Sequence, residues 1–96
     1  MGAKLLVDAL ERLASAGASM RCSELEELLV SLGFDVRDGK RGGHKVFVHD
    51  HLEDFRSAAY NCGHGRNPEI KPAYIRNVRQ VLIMHKEALN RFLEEK

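Results

Sequence analysis

Hydrophobic positions along this 96-residue chain change their period twice, and each change marks a boundary between elements. From Ala3 to Ala16, Leu5, Leu6, Ala9, Leu10 and Leu13 fall on one stripe of a helix, while Lys4, Asp8, Glu11 and Arg12 turn to water. Gly17 stops that helix, and Ala18 and Ser19 form a short link. A second helix opens where Ser23 and Glu26 stand at capping-box spacing, each side chain placed to meet the other residue's free backbone N–H. Leu25, Leu28, Leu29 and Leu32 carry its apolar face, and Gly33 supplies a left-handed C-terminal cap.

Beyond Gly33 the period shortens to two. Phe34 to Arg37 alternates apolar and polar residues as a half-buried strand does. Lys45 to His49 reads as a second strand, with Val46 and Val48 on one side and Lys45, Phe47 and His49 on the other. Arg56 to Cys62 reads as a third, with Ala58, Tyr60 and Cys62 alternating against Ser57, Ala59 and Asn61. The stretch Gly63-His64-Gly65-Arg66-Asn67-Pro68 has loop chemistry, and Pro72 suits the first turn of a helix, where its missing N–H is not needed. From there Ile75, Val78, Val81, Leu82, Leu89, Phe92 and Leu93 define one long helical stripe. Helix, helix, three strands, helix predicts an α+β domain: a three-stranded antiparallel sheet with helices on one face.

Length allows one modest core and not two. Fifteen basic and fourteen acidic residues nearly cancel, so the distribution of charge matters more than its sum. Between Arg37 and Lys45 stand four basic residues and one acid, Asp38, a local patch suited to a focused phosphate contact. The two cysteines, Cys22 and Cys62, allow a single disulfide, but two scattered thiols behind no leader pattern read first as reduced and structural. No apolar run approaches membrane-spanning length and no leader pattern opens the chain, so the expected compartment is the cytoplasm.

The chemistry concentrates between Gly39 and His49. Glycines at 39, 42 and 43 allow close backbone approach to a ligand, turn N–H groups can converge on an anion, and Lys40 and Arg41 add positive charge. His44 stands at the mouth of the second strand, and histidine is the side-chain type suited to exchanging a proton near neutral pH. A phosphate cradle beside a titratable base is the minimum equipment for cutting RNA without a metal. The plain alternative is a soluble β-turn followed by an incidental histidine.

Three stretches resemble the HicA (YcfA-like) mRNA-interferase toxins, whose fold is similar to the double-stranded-RNA-binding domain. Ser23-Glu24-Leu25 through Leu32-Gly33-Phe34 is similar to the family's first helix and its exit into strand one. Gly42-Gly43-His44-Lys45-Val46-Phe47-Val48-His49 resembles the family's Gly-Ser-His strand, which implies a catalytic role for His44. His64 followed by Glu69-Ile70-Lys71-Pro72 resembles the loop into the family's second helix. Gly43 stands where the family has Ser, and typical members are more basic. The resemblance divides the chain into an extra N-terminal helix and linker, residues 1–20, and a HicA-like domain, residues 21–96.

What the resemblance implies is a toxin of a toxin–antitoxin pair, a metal-independent endoribonuclease acting on mRNA and restrained by a HicB-like antitoxin protein. His44 would take the 2′-hydroxyl proton, while Lys40, Arg41, Gly42, Gly43 and Lys45 would bind the RNA phosphate. No cofactor or metal is expected. His49 and His64 are candidates for the proton donor to the leaving oxygen, or are solvated strand-end and loop residues. A rival reading gathers His49, His51, Cys62 and His64 into a zinc site. Tyr60 and Tyr74 are candidates for stacking on bases, or for packing at the core and its boundary. His85 reads as a surface or boundary residue. A reading of another class is a catalytically silent RNA- or protein-binding module of the same fold, in which the N-terminal leucines and the last helix dock a partner.

Overall fold

The apolar stripes fold as helices. The computed structural model describes residues 2–15, 20–63 and 65–95, with the backbone alone at 2 and 3. Its elements are α1 (Gly2–Ser15), α2 (Cys22–Ser31), β1 (Asp35–Asp38), β2 (His44–Val48), β3 (Ala58–Asn61), α3 (Pro72–Met84) and α4 (Lys86–Glu95). Ala16, the Gly17 stop, the Ala18 and Ser19 link and His64 lie outside the described residues. On α1, Leu6, Ala9 and Leu13 are buried and Leu10 is half-buried, whereas Leu5 stands exposed at the edge of the stripe.

The start of α2 differs from the Ser23–Glu26 box. The cap lies two residues earlier, at Arg21, and Glu24 Oε1 accepts the Arg21 backbone N–H at 3.2 Å. Ser23 N–H donates to Asn67 Oδ1 at 2.9 Å, so this cap comes from a loop 44 residues away. Arg12 reaches across from α1 to Glu24 at 2.7 Å, and its hydrogen bond, then that of the Arg21 amide, holds the Glu24 carboxyl below its ordinary pKa. The C-terminus is as expected: Gly33 (φ +94°) donates to Val30 O and Phe34 N–H to Leu29 O, the paired bonds of a Schellman cap.

The sheet is antiparallel in the order β1-β2-β3. Register places Val36 opposite Phe47, and Lys45 opposite Tyr60. Phe47 and Tyr60 are buried beneath the helices, and Val36 packs half-buried beside them. By alternation His44, Val46, Val48, Ala59 and Asn61 occupy the other face, which is half-buried to open. The architecture is thus α+β, an open three-stranded sheet with helices packed on it.

At the C-terminus the single long helix is interrupted. His85, with φ −108° and ψ 21°, separates α3 from α4, yet His85 N–H still reaches Val81 O and Leu89 N–H reaches His85 O. Such an interruption lets one apolar stripe serve two packing directions, and α1 packs against both α3 and α4. Leu6, Leu13, Leu82, Leu89 and Leu93 belong to the same core cluster as Phe47 and Tyr60, so the N-terminal helix completes the core.

The expectation of free thiols fails. Cys22 at the start of α2 and Cys62 just past β3 form a disulfide, their Cα atoms 5.4 Å apart and within bridging range. A separation of 40 residues hid a proximity that only the fold creates. Among the described residues no helix is long and apolar enough to cross a membrane.

Candidate functional site

Residues 39–43 form the turn between β1 and β2, closed by Gly39 N–H to His44 O at 2.7 Å and His44 N–H to Arg41 O at 3.1 Å. His44 is therefore anchored through both its backbone groups. Backbone N–H groups of Lys40, Arg41, Gly42 and Gly43 donate to no other group among the described residues. The Lys40 and Arg41 side chains are exposed, and neither enters an ion pair among those residues. Four free amides and two free cations within one short turn form a surface that can meet an anion.

Two glycines of the turn are required, each for a different reason. A Cβ on Gly39 would stand 2.1 Å from His44 Cδ2, so its bare Cα makes room for the imidazole. Gly43 has φ +79°, and a Cβ there would lie 2.5 Å from the Gly63 carbonyl oxygen. Its own carbonyl accepts the Cys62 N–H at 2.7 Å, seating the turn on the loop after β3. A side chain at position 43 is thus disfavoured by local packing. Gly42 has open space around it.

The His44 side chain lies on the open sheet face, half-buried, opposite Asn61 in the β2–β3 register. Its Nδ1 is 3.1 Å from Asn61 Oδ1, and Asn61 Nδ2 donates to the Tyr74 hydroxyl at 2.9 Å. Tyr74 is a boundary residue, half-buried in the first turn of α3, packed against the core and tied to β3 through its hydroxyl. Asn61 went unread in the sequence. Its signal was available only by pairing the second and third strands, which sets it across from His44.

Lys45 does not join this group. Successive strand residues face opposite sides, and Lys45 points to the helix-covered face. There its ammonium hydrogen-bonds Asp38 and lies 3.8 Å from Glu26. The Asp38 bond, opposed by partial burial, raises its pKa above the ordinary lysine value. Of the six predicted residues the fold gathers His44, Lys40, Arg41, Gly42 and Gly43, and it turns Lys45 to acidic partners.

His49 is not a solvated strand-end residue; only 5% of its surface is exposed. Nδ1 accepts the His51 backbone N–H at 3.1 Å, which leaves Nε2–H to donate to Leu32 O at 3.1 Å. Burial holds its pKa below the ordinary histidine value. With both nitrogens committed and Phe34 and Phe92 rings 4.8 and 4.6 Å away, it cannot serve as the proton donor at His44. His51 stacks on Phe92, and His85 meets Phe55 edge-on, the boundary role read for it. Tyr60 is fully buried in the core. The zinc grouping does not assemble from His49, His51 and Cys62: the Cys62 sulfur is bonded to Cys22, and both His49 nitrogens are occupied. Among the described residues no three His, Cys, Asp or Glu side chains converge to hold a metal.

Comparison with protein-family models, curated proteins and solved structures finds no match for this chain.

Proposed function

We propose that this protein is a metal-independent endoribonuclease of the HicA-like toxin type, with His44 as the general base and cytoplasmic mRNA as the substrate. The observation that carries the reading is the position of His44, anchored beside a turn that offers free cations and free amides together. Neutral imidazole takes the proton of a ribose 2′-hydroxyl, and the 2′-oxygen forms a bond to the adjacent phosphorus. As the bond from phosphorus to the 5′-oxygen breaks, the imidazolium returns the proton to that oxygen. The products are a 2′,3′-cyclic phosphate and a 5′-hydroxyl end, and the imidazole is again neutral. General-base help of this kind gives about 10²–10⁴-fold in rate. Lys40, Arg41 and the turn amides face the negative charge that develops on the phosphorane. A HicB-like antitoxin protein is the expected restraint, and a segment laid over Lys40, Arg41 and His44 would exclude the phosphate.

His44→Ala should abolish cleavage of an unstructured RNA while leaving the thermal midpoint nearly unchanged, because the ring adds little to the core. Wild-type activity should survive a chelator and fail on the 2′-deoxy version of the same strand. The assay should be run with the Cys22–Cys62 bridge both oxidised and reduced. Cleavage by His44→Ala at the wild-type rate in both states removes His44 as the base. Binding without cleavage by the wild type favours a silent RNA-binding module.

A further inference from the structure

A histidine serves as a base only through a nitrogen that lacks a proton, so the site must decide which of the two ring nitrogens carries one. In this protein a chain of two hydrogen bonds makes that choice. Asn61 Nδ2 faces the Tyr74 hydroxyl and donates to it at 2.9 Å. In that orientation the amide atom turned to His44 is Oδ1, which can only accept. Nδ1 at 3.1 Å must carry the proton, and Nε2 is left with a free lone pair. The His44 backbone is fixed at the same time by Gly39 and Arg41, and Gly39 leaves space for the ring.

We propose that Asn61, oriented by Tyr74, is a positioning residue that holds His44 as the Nδ1–H tautomer with Nε2 presented as the base. The inference rests on the ribonuclease reading for its catalytic meaning, although the tautomer itself is a property of the resting protein. The three residues come from three elements, β2, β3 and α3, so the site is complete only when the sheet edge and the start of α3 are docked. Turning the Asn61 amide over would reverse every role: Tyr74 would donate, Nδ1 would accept, and Nε2 would be blocked by its own proton.

Imidazole nitrogen-15 shifts of labelled protein, measured at about pH 8 where an ordinary histidine is neutral, separate the two states. Wild type should show His44 as Nδ1–H. Asn61→Ala should move the ring toward Nε2–H and slow RNA cleavage tenfold or more, within the total of about 10²–10⁴ available to a general base. Asn61→Asp, which still accepts from Nδ1–H, should keep the Nδ1–H tautomer and restore most of the rate. Tyr74→Phe should release Asn61 and give an intermediate result. Asn61 is exposed, so the thermal midpoint should hardly move in either Asn61 variant. A wild-type His44 found as Nε2–H overturns the proposal, as does Asn61→Ala with an unchanged tautomer. If wild-type protein leaves RNA intact, the ribonuclease reading falls, and the nitrogen shifts still decide the positioning role by themselves.

Discussion

A side chain at position 43 meets two obstacles at once, a left-handed backbone and the Gly63 carbonyl oxygen 2.5 Å from its Cβ. Any side chain placed there should therefore harm this protein. Gly43→Ser should lower stability by about 1–3 kcal/mol in urea titration, whereas Gly42→Ala, in open space, should stay within about 0.5 kcal/mol of wild type. Equal midpoints for the two variants would mean that the turn is not seated on the 63 loop. His49 makes a different demand. Because burial depresses its folded-state pKa, the native protein declines a proton that the unfolded chain accepts. Stability is then full above the unfolded value of about 6.5 and falls as the pH drops through the window below it. Asp50 and the Leu32 carbonyl oppose the shift, while His51 adds to it. Thermal midpoints measured between about pH 7 and pH 5 should decline in wild type and decline less in His49→Gln; parallel slopes would exclude His49 as the cause.

Elements whose evidence is periodic were legible in the sequence, and those defined by a distant partner were not. The stripes of α1 and α2, the Gly33 cap, the alternation in β2 and β3 and Pro72 at the start of α3 all follow from local geometry. The boundary at His85 does not, because Val81, Leu82 and Leu89 continue the helical spacing and no glycine or proline marks the interruption. The α2 cap by Asn67, the Cys22–Cys62 bridge and the His44–Asn61 pairing each join residues far apart in sequence. His44 and its basic turn were readable as a candidate site, but the pairing of Lys45 with acids from β1 and α2 was not. Integration of α1 into the core has its own test. Leu6 is fully buried and Leu5 is not, so Leu6→Ala should cost about 2–5 kcal/mol and Leu5→Ala no more than about 0.5 kcal/mol. A small, equal loss at both positions, read from denaturant midpoints, would place α1 outside the cooperative unit.

At the scale of the whole molecule, a radius of gyration of 12.8 Å is close to the roughly 12.5 Å of a compact chain this long, which leaves no room for a detached N-terminal helix. The disulfide gives this shape a covalent topology as well. Residues 22–62 form a closed loop that contains α2 and all three strands, while α1 leaves it on one side and α3 with α4 on the other, like a lasso with two tails. The exposed Lys40–Arg41 turn sits on that loop, so a protease that cuts there opens the ring without parting the protein. Brief trypsin treatment of the native form should give one band without reductant and two fragments, meeting near residue 41, once the bridge is reduced. Separation before reduction would show that the ring is not closed in solution. With the ring closed, a backbone broken at the exposed turn of the candidate site still leaves β1 and β2 on one covalent body, joined through sulfur instead of through the turn.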